Sequence, residues 1–112
     1  MTPYKKWDIV LVPFPFTNQK SSKKRPALVI SPDEYNNRLD VVIAFITSKI
    51  DQSNRCGDYI INEWSKSGLP KPSMLRMKFT TLDKFMIIKK IGKLSKKDQD
   101  CFSLQLVEFF TK

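Results

Sequence analysis

The chain has 112 residues, which suits one domain with a single modest core. Its net charge of +9 favours a polyanion, such as nucleic acid or an acidic protein, as a partner; a basic surface without a specific partner is the alternative. The absence of histidine excludes an imidazole acid or base and a histidine-ligated metal, and we expect neither metal nor cofactor. No apolar run is long enough to span a membrane, and no signal-peptide pattern follows residues 1–6, so a cytoplasmic protein is expected.

Two apolar runs flank a basic loop near the start of the chain. They predict the first two strands, at about residues 7–12 and 27–31, because both runs are rich in β-forming residues and too short for helices. Pro13 and Pro15 have no N–H to donate to a ladder. The first strand must therefore end, bend or run along a sheet edge at these prolines.

The loop between these strands carries the first candidate site. Pro26 biases the backbone of Arg25 toward an extended conformation, which places a guanidinium at the mouth of the loop. An arginine fixed among lysines at the start of a strand is typical of a phosphate site, although an exposed arginine in a basic loop is the alternative. The lysines expected to bind substrate here are Lys20, Lys23 and Lys24.

The strongest strand signal covers residues 40–47, which are apolar at nearly every position. This strand should lie in the centre of the sheet, buried on both faces. Shorter strands are predicted at 58–62, 73–79 and 85–90, with a turn over 80–84.

Two helix starts are indicated by capping residues. Ser31 and Pro32 fit the N-cap and first position of a single helical turn. Ser95 and Asp98 resemble a capping box at the start of a longer helix. Short strands followed by one amphipathic helix predict a small, highly twisted antiparallel barrel that the helix closes. The apolar face of that helix comprises Phe102, Leu106, Phe109 and Phe110.

Further polar and aromatic residues are candidates for substrate binding. Thr47 and Ser48 end the central strand, where hydroxyls can contact phosphate or sugar; strand capping or turn formation is the alternative. Arg76 and Lys78 share one face of their strand, which is either a binding surface or simply solvated. Unpaired bases stack on aromatic rings, for which Phe14, Phe16 and Trp64 are candidates; a core role competes for Phe14 and a dimer contact for Trp64.

Several segments in order resemble one family, the MazF/PemK toxins, which are sequence-selective endoribonucleases of bacterial toxin–antitoxin pairs. The resemblance implies one SH3-like barrel domain over 1–112, usually a homodimer, with Arg25 and Thr47 in the catalytic positions. It also implies single-stranded mRNA as substrate and an antitoxin partner with an acidic tail. The matching segments are 7–31, 46–48 (ITS), 68–73 (GLPKPS), 81–84 (TLDK) and 91–94 (IGKL).

One departure from the family pattern concerns the proton acceptor. In well-known relatives the position two residues after Arg76 is acidic, whereas here it is Lys78, which would need a lowered pKa to act as a base. Two other functions therefore stay open. The chain could be a non-catalytic barrel that binds nucleic acid or antitoxin, which Lys78 favours. It could instead be a CcdB-like gyrase poison, against which Arg25 and Thr47 argue.

Overall fold

A computed structural model describes residues 4–14, 23–50 and 55–112. Phe16 and Lys20, two of the predicted binding residues, lie outside these ranges. No helix in the described part of the chain has the length and apolar character needed to cross a membrane.

The described part of the chain is mainly β, with six antiparallel strands that form a curled half-barrel and a long helix at the C-terminal end. The predicted fold class is confirmed. The strands pair in the order β4-β5-β3-β2-β1-β6, so β3 is central as expected. The elements are β1 Asp8–Phe14, β2 Lys23–Val29, α1 Asp33–Asn36, β3 Asp40–Thr47, β4 Tyr59–Ile60, β5 Met74–Asp83, a 3-10 helix Lys84–Met86, β6 Lys89–Lys93 and α2 Lys96–Thr111.

The curled sheet buries an apolar cluster on each face because side chains alternate along its strands. One cluster lies under α2 and includes Leu28, Leu75 and Phe102, all fully buried. The other lies on the opposite face and includes Val12, Ala27 and Ile43, with Phe45 packed against it. Of the predicted apolar face of α2, Phe102 is buried and Leu106 packs on the first cluster, whereas Phe110 is mostly exposed.

Several predicted boundaries were wrong. β2 begins at Lys23 and places Arg25 inside the strand, opposite Val12, rather than ahead of it. β5 continues to Asp83 through the predicted turn, since residues 79–83 pair with β3. The predicted strand at 85–90 begins instead as the 3-10 helix. β1 continues through Pro13. Its pairing with β6 ends at Leu11, so beyond that residue one side of β1 is an unpaired edge, where a proline is tolerated.

Ser31 does not cap α1, contrary to the prediction. Pro32 occupies the N-cap position, and no side chain caps this short helix. The Ser31 hydroxyl is buried instead, where it donates to the Asn36 side chain and accepts from the Val42 N–H at 2.9 Å. Ser31 therefore ties α1 to the central strand.

Two glycines bring the loop after β4 against β6 and so bridge the two edges of the curled sheet. A Cβ on Gly92 would overlap the Ser67 carbonyl oxygen, and a Cβ on Gly68 would overlap the Ile91 carbonyl oxygen. Gly68 also has φ +88, which side-chain-bearing residues rarely adopt. The backbones can approach this closely only because both positions are glycine.

A buried carboxylate fastens α2 to the same loop. Asp98 is fully buried and accepts hydrogen bonds from the Tyr59 hydroxyl at 2.6 Å, the Asn62 N–H at 3.0 Å, the Glu63 N–H at 2.9 Å and the Ser95 hydroxyl at 3.1 Å. Ser95 is the N-cap of α2, as predicted, and accepts from the Asp98 N–H. Asp98 therefore joins the helix, β4 and the following loop in one network.

This network also sets two pKa values. Burial alone would raise the pKa of Asp98, but the hydrogen bonds from Tyr59, Glu63, Asn62 and Ser95 outweigh burial and hold it below its usual range. Burial and the bond to the Asp98 carboxylate raise the pKa of Tyr59 well above its ordinary value. The network is therefore built around an ionised aspartate and a neutral tyrosine.

We predict that Asp98→Asn lowers the free energy of unfolding by about 2 kcal/mol at neutral pH, because a buried donor loses its acceptor. The native pKa of Asp98 lies below its unfolded value. The stabilisation of the fold by ionised Asp98 is therefore complete above a pH of about 4, and it is lost as the pH falls through the native pKa. Urea denaturation at several pH values should show the gap between parent and variant narrowing in acid.

Asp100→Asn is the matched control, since Asp100 is exposed on the same helix and makes only a surface ion pair with Lys96. It should change stability by a few tenths of a kcal/mol at most. Equal losses for the two variants would contradict the role assigned to Asp98.

Candidate active site

The candidate site opens where β2 and β3 separate. Their last ladder pair is Ala27 with Phe45. Just beyond the end of β2, the Ile30 N–H donates to the Val42 carbonyl of β3. Successive N–H groups along a strand point to opposite sides, so the nitrogen of residue 26, four positions earlier, also faces β3. Residue 26 is proline and has no hydrogen to donate. The ladder therefore stops there, and a gap opens between the two strands.

A recess of about 180 Å³ fills this gap, and we call it the basic recess. Three segments supply its walls: β2, the end of β3 and the loop that precedes β5. Arg25 and Thr47, the two predicted catalytic residues, both line it. Its lining comprises Lys24, Arg25, Pro26, Ile46, Thr47, Ser48, Pro70, Lys71 and Ser73.

Arg25 lies half-buried in the wall of the basic recess. Its Nε is buried and makes no hydrogen bond to any described residue. Within the described ranges, no carboxylate comes within 4 Å of its guanidinium. A buried donor without an acceptor costs free energy, and a bound anion would remove that cost.

Thr47 and Ser48 supply the hydroxyls of the basic recess. The Thr47 Oγ1 accepts from the Lys49 N–H at 3.2 Å, so the strand-capping alternative describes part of its role. The hydroxyl hydrogen of Thr47 can still be donated to a ligand oxygen. Ser48 is exposed at the rim.

Lys71 and Ser73 also line the recess, and sequence reasoning did not select either of them. Lys71 is exposed, and its carbonyl oxygen accepts from the Ser73 hydroxyl at 2.9 Å, which shapes the loop. The signal that indicated Arg25 was present here as well, because Pro72 restricts Lys71 to an extended backbone as Pro26 restricts Arg25.

A smaller recess, of about 20 Å³, adjoins the basic recess, and we call it the aromatic slot. Arg25, Pro26 and Ile46 line both recesses. The slot contains Phe14, which was considered for base stacking, and Phe45, which was not. The complete lining is Val12, Phe14, Arg25, Pro26, Ala27, Ile43, Phe45 and Ile46.

Lys78 lies beside the aromatic slot because of an irregularity in β5. Ala44 pairs with Phe79 and Ile46 with Leu75, so three residues, 76–78, stand opposite Phe45 alone. Such a bulge re-aims side chains. The Lys78 ammonium lies 5.2 Å from the centroid of the Phe45 ring.

Other predicted binding residues lie elsewhere. Trp64 packs against the core cluster under α2 and lines neither recess. Arg76 forms an ion pair with Asp58 at 3.7 Å, with only 17% of its side chain exposed. Lys23 is exposed at the start of β2, outside the lining of the recess, and Lys20 lies outside the described residues. The structure therefore gathers Lys24, Ser48 and the two catalytic candidates, with Lys78 close by.

Within the part of the chain that the structure describes, no three histidine, cysteine, aspartate or glutamate residues come together to form a metal site. The lining of the basic recess carries two lysines and an arginine but no acidic residue. The recess can therefore bind an anion and offset developing negative charge, while its lining offers no carboxylate or imidazole as a base.

The fold resembles solved toxin structures at low sequence identity. MazF from Deinococcus radiodurans aligns with a TM-score of 0.74 at 16% identity, covering 100% of both chains. The toxin MazF-mt6 of Mycobacterium tuberculosis aligns at 0.73 and 18% identity, covering 92% of this chain and 95% of that one. A mycobacterial endoribonuclease in complex with its cognate antitoxin aligns at 0.73 and 14%, covering 96% and 93%.

A search of curated protein sequences finds no match. A family model does match, over residues 5–110, and its description is "PemK-like, MazF-like toxin of type II toxin-antitoxin system". This match covers nearly the whole chain and includes every described residue of both recesses. The protein therefore belongs to the family of PemK-like, MazF-like toxins of type II toxin–antitoxin systems.

Proposed function

We propose that this chain is a sequence-selective, metal-independent endoribonuclease that cleaves single-stranded mRNA. The observation that carries the proposal is the convergence of Arg25 and Thr47, from separate strands, in one open basic recess. Lys24 and Lys71 surround them with positive charge. This arrangement suits a phosphodiester held by its non-bridging oxygens.

The reaction requires little from the protein beyond positioning and charge. The ribose 2′-hydroxyl loses its proton and attacks the adjacent phosphorus. The bond from phosphorus to the 5′ oxygen breaks and that oxygen takes up a proton, so the products are a 2′,3′-cyclic phosphate and a 5′-hydroxyl. Arg25 donates to the phosphate oxygens as their negative charge grows, and Thr47 donates to the same group and orients it. Lys71 and Lys24 hold flanking phosphates as point charges.

We predict that Arg25→Ala slows RNA cleavage by about 10²–10³-fold and that Thr47→Ala slows it to a smaller extent, because each removes a donor to the transition state. Lys71→Ala should mainly weaken RNA binding. The assay incubates a long single-stranded RNA with chelator present, follows the rate of cleavage and maps the ends of the products.

The matched control is Arg38→Ala, which removes an exposed arginine in the turn that follows α1 and should cleave like the parent. If Arg25→Ala and Thr47→Ala both cleave at the parent's rate, the site assignment is wrong. Cleavage that stops when chelator is added would contradict metal independence.

A non-catalytic barrel is the second candidate function. It is favoured by Lys78 at the usual acidic position and by a basic recess whose lining offers no general base. The same assay separates the two functions, since this candidate requires RNA that is bound but remains intact.

We propose that the partner is a cognate antitoxin whose acidic, disordered tail lies along the basic recess and excludes RNA. The affinity for antitoxin should then fall as salt rises, and antitoxin should displace a fluorescent single-stranded RNA in a competition titration. Lys71→Ala should weaken both complexes. A ternary complex in which RNA and antitoxin bind independently would contradict this prediction.

We propose a homodimer as the assembly. Helix α2 leaves apolar side chains exposed at three-residue spacing, Leu104 at 73%, Val107 at 61% and Phe110 at 65%, and a second copy would cover them. Light scattering should give twice the chain mass of 13.1 kDa. Leu104→Glu should shift the protein toward monomer, whereas Leu39→Glu, which alters an equally exposed leucine near β3, should not. A parent that is monomeric at micromolar concentration would refute the homodimer.

A further inference from the structure

Two aromatic rings and two cations form one cluster at the aromatic slot. The Phe14 and Phe45 rings meet edge to face, with centroids 5.4 Å apart and planes at 89°. The Lys78 ammonium lies 5.2 Å from the Phe45 centroid and 5.8 Å from the Phe14 centroid. The Arg25 guanidinium carbon lies 5.9 Å from the Phe14 centroid. Both cations therefore lie within 6 Å of the same ring.

The two cations of this cluster add little to fold stability. Cation–π contacts near the protein surface stabilise a fold by only about 0.5–1 kcal/mol each. Two like charges near one ring also repel each other. Within the described residues, no carboxylate comes within 4 Å of Arg25 or Lys78 to offset that repulsion. Phe14 and Phe45 are only partly buried; Phe45 packs against the apolar cluster of that face, and Phe14 lines the slot beside Val12. A ligand that carries both a π face and negative charge would complement the two rings and the two cations.

The position of the cluster indicates which part of the ligand it meets. Arg25 lines both recesses, so a phosphate bound by Arg25 lies at the boundary between them. The nucleotide attached to that phosphate can then place its base over the aromatic slot. The slot itself, at about 20 Å³, is too small to enclose a base, so the base would lie across the rings rather than between them.

We propose that Phe14, Phe45 and Lys78 form a stacking subsite for the unpaired base next to the scissile phosphate. Lys78 is exposed on a long side chain, so the incoming base displaces its ammonium from the rings toward a neighbouring phosphate. Stacking accepts any base, so the subsite contributes affinity and register rather than sequence preference. This inference rests on the proposed function, because it presumes an RNA strand in the basic recess.

The test measures whether removal of one base still weakens RNA binding when the Phe45 ring is already absent. The probe is a short single-stranded RNA that spans a mapped cleavage site. A 2′-O-methyl group at that site prevents cleavage, and each flanking position in turn carries an abasic ribose. For the parent, removal of one flanking base should weaken binding roughly 5- to 150-fold. For Phe45→Leu, the same removal should change binding less than about 2-fold, since the stacking partner is already absent.

Phe85→Leu is the matched control, because Phe85 is 88% exposed on the 3-10 helix, outside both recesses. It should keep the full abasic penalty of the parent. If Phe45→Leu also keeps the full penalty, the stacking subsite is refuted.

Lys78→Gln provides an independent measurement that does not depend on how Phe45→Leu folds. It should reduce the slope of log affinity against log salt by about 0.7, the loss of one phosphate contact on single-stranded RNA. An unchanged slope would remove Lys78 from the proposal. If the parent binds RNA without cleaving it, the proposed function fails. The abasic series, repeated on an oligouridine probe, then still shows whether the stacking subsite exists.

Discussion

The end of the ladder between β2 and β3 is the constraint on which the site depends. One missing N–H, at Pro26, stops the pairing at Ala27 and Phe45. The strands then diverge, and the space between them becomes the basic recess. Arg25 extends into that space while its backbone stays paired to β1 opposite Val12, so its guanidinium projects from a rigid strand. The same proline that opens the sheet therefore also places the charge.

The loop before β5, which forms another wall of the recess, is held in place by contacts that lie away from the recess itself. The loop that carries Lys71 is bonded to Asp98 of α2 near its start, through the Asn62 and Glu63 N–H groups. In its middle, the loop meets β6 through the close contact of Gly68 with Gly92. These contacts fix the backbone that carries Lys71 beside the recess. The helix at the back of the sheet is thereby part of the structure that supports the site.

Sequence reasoning succeeded where one local signal determined the structure. The apolar run of β3 fixed its bounds and its central place, and the capping residues at Ser95 and Asp98 fixed the start of α2. Arg25 and Thr47, which the sequence singled out, both line the basic recess.

Sequence reasoning failed where the position of a residue depended on contacts with residues far away in the chain. Trp64, on a polar loop, packs against the core because α2 closes over that side of the sheet. Arg76 is engaged by Asp58, which no local pattern reveals. The length of β5 follows from its pairing with β3, so propensity wrongly predicted a turn there. The sequence placed Phe45 in a buried strand, and no local pattern showed that the bulge in β5 brings the Lys78 ammonium to its ring.

Arg25 is a wall common to two recesses, and this has an evolutionary consequence. A substitution that alters the depth or polarity of either recess also shifts the guanidinium that serves the other. The two sets of residues are therefore expected to be epistatic, so that the benefit of a change beside Phe45 depends on which residue stands beside Thr47. Related chains are therefore expected to change the residues of the two recesses together, in pairs on either side of one arginine.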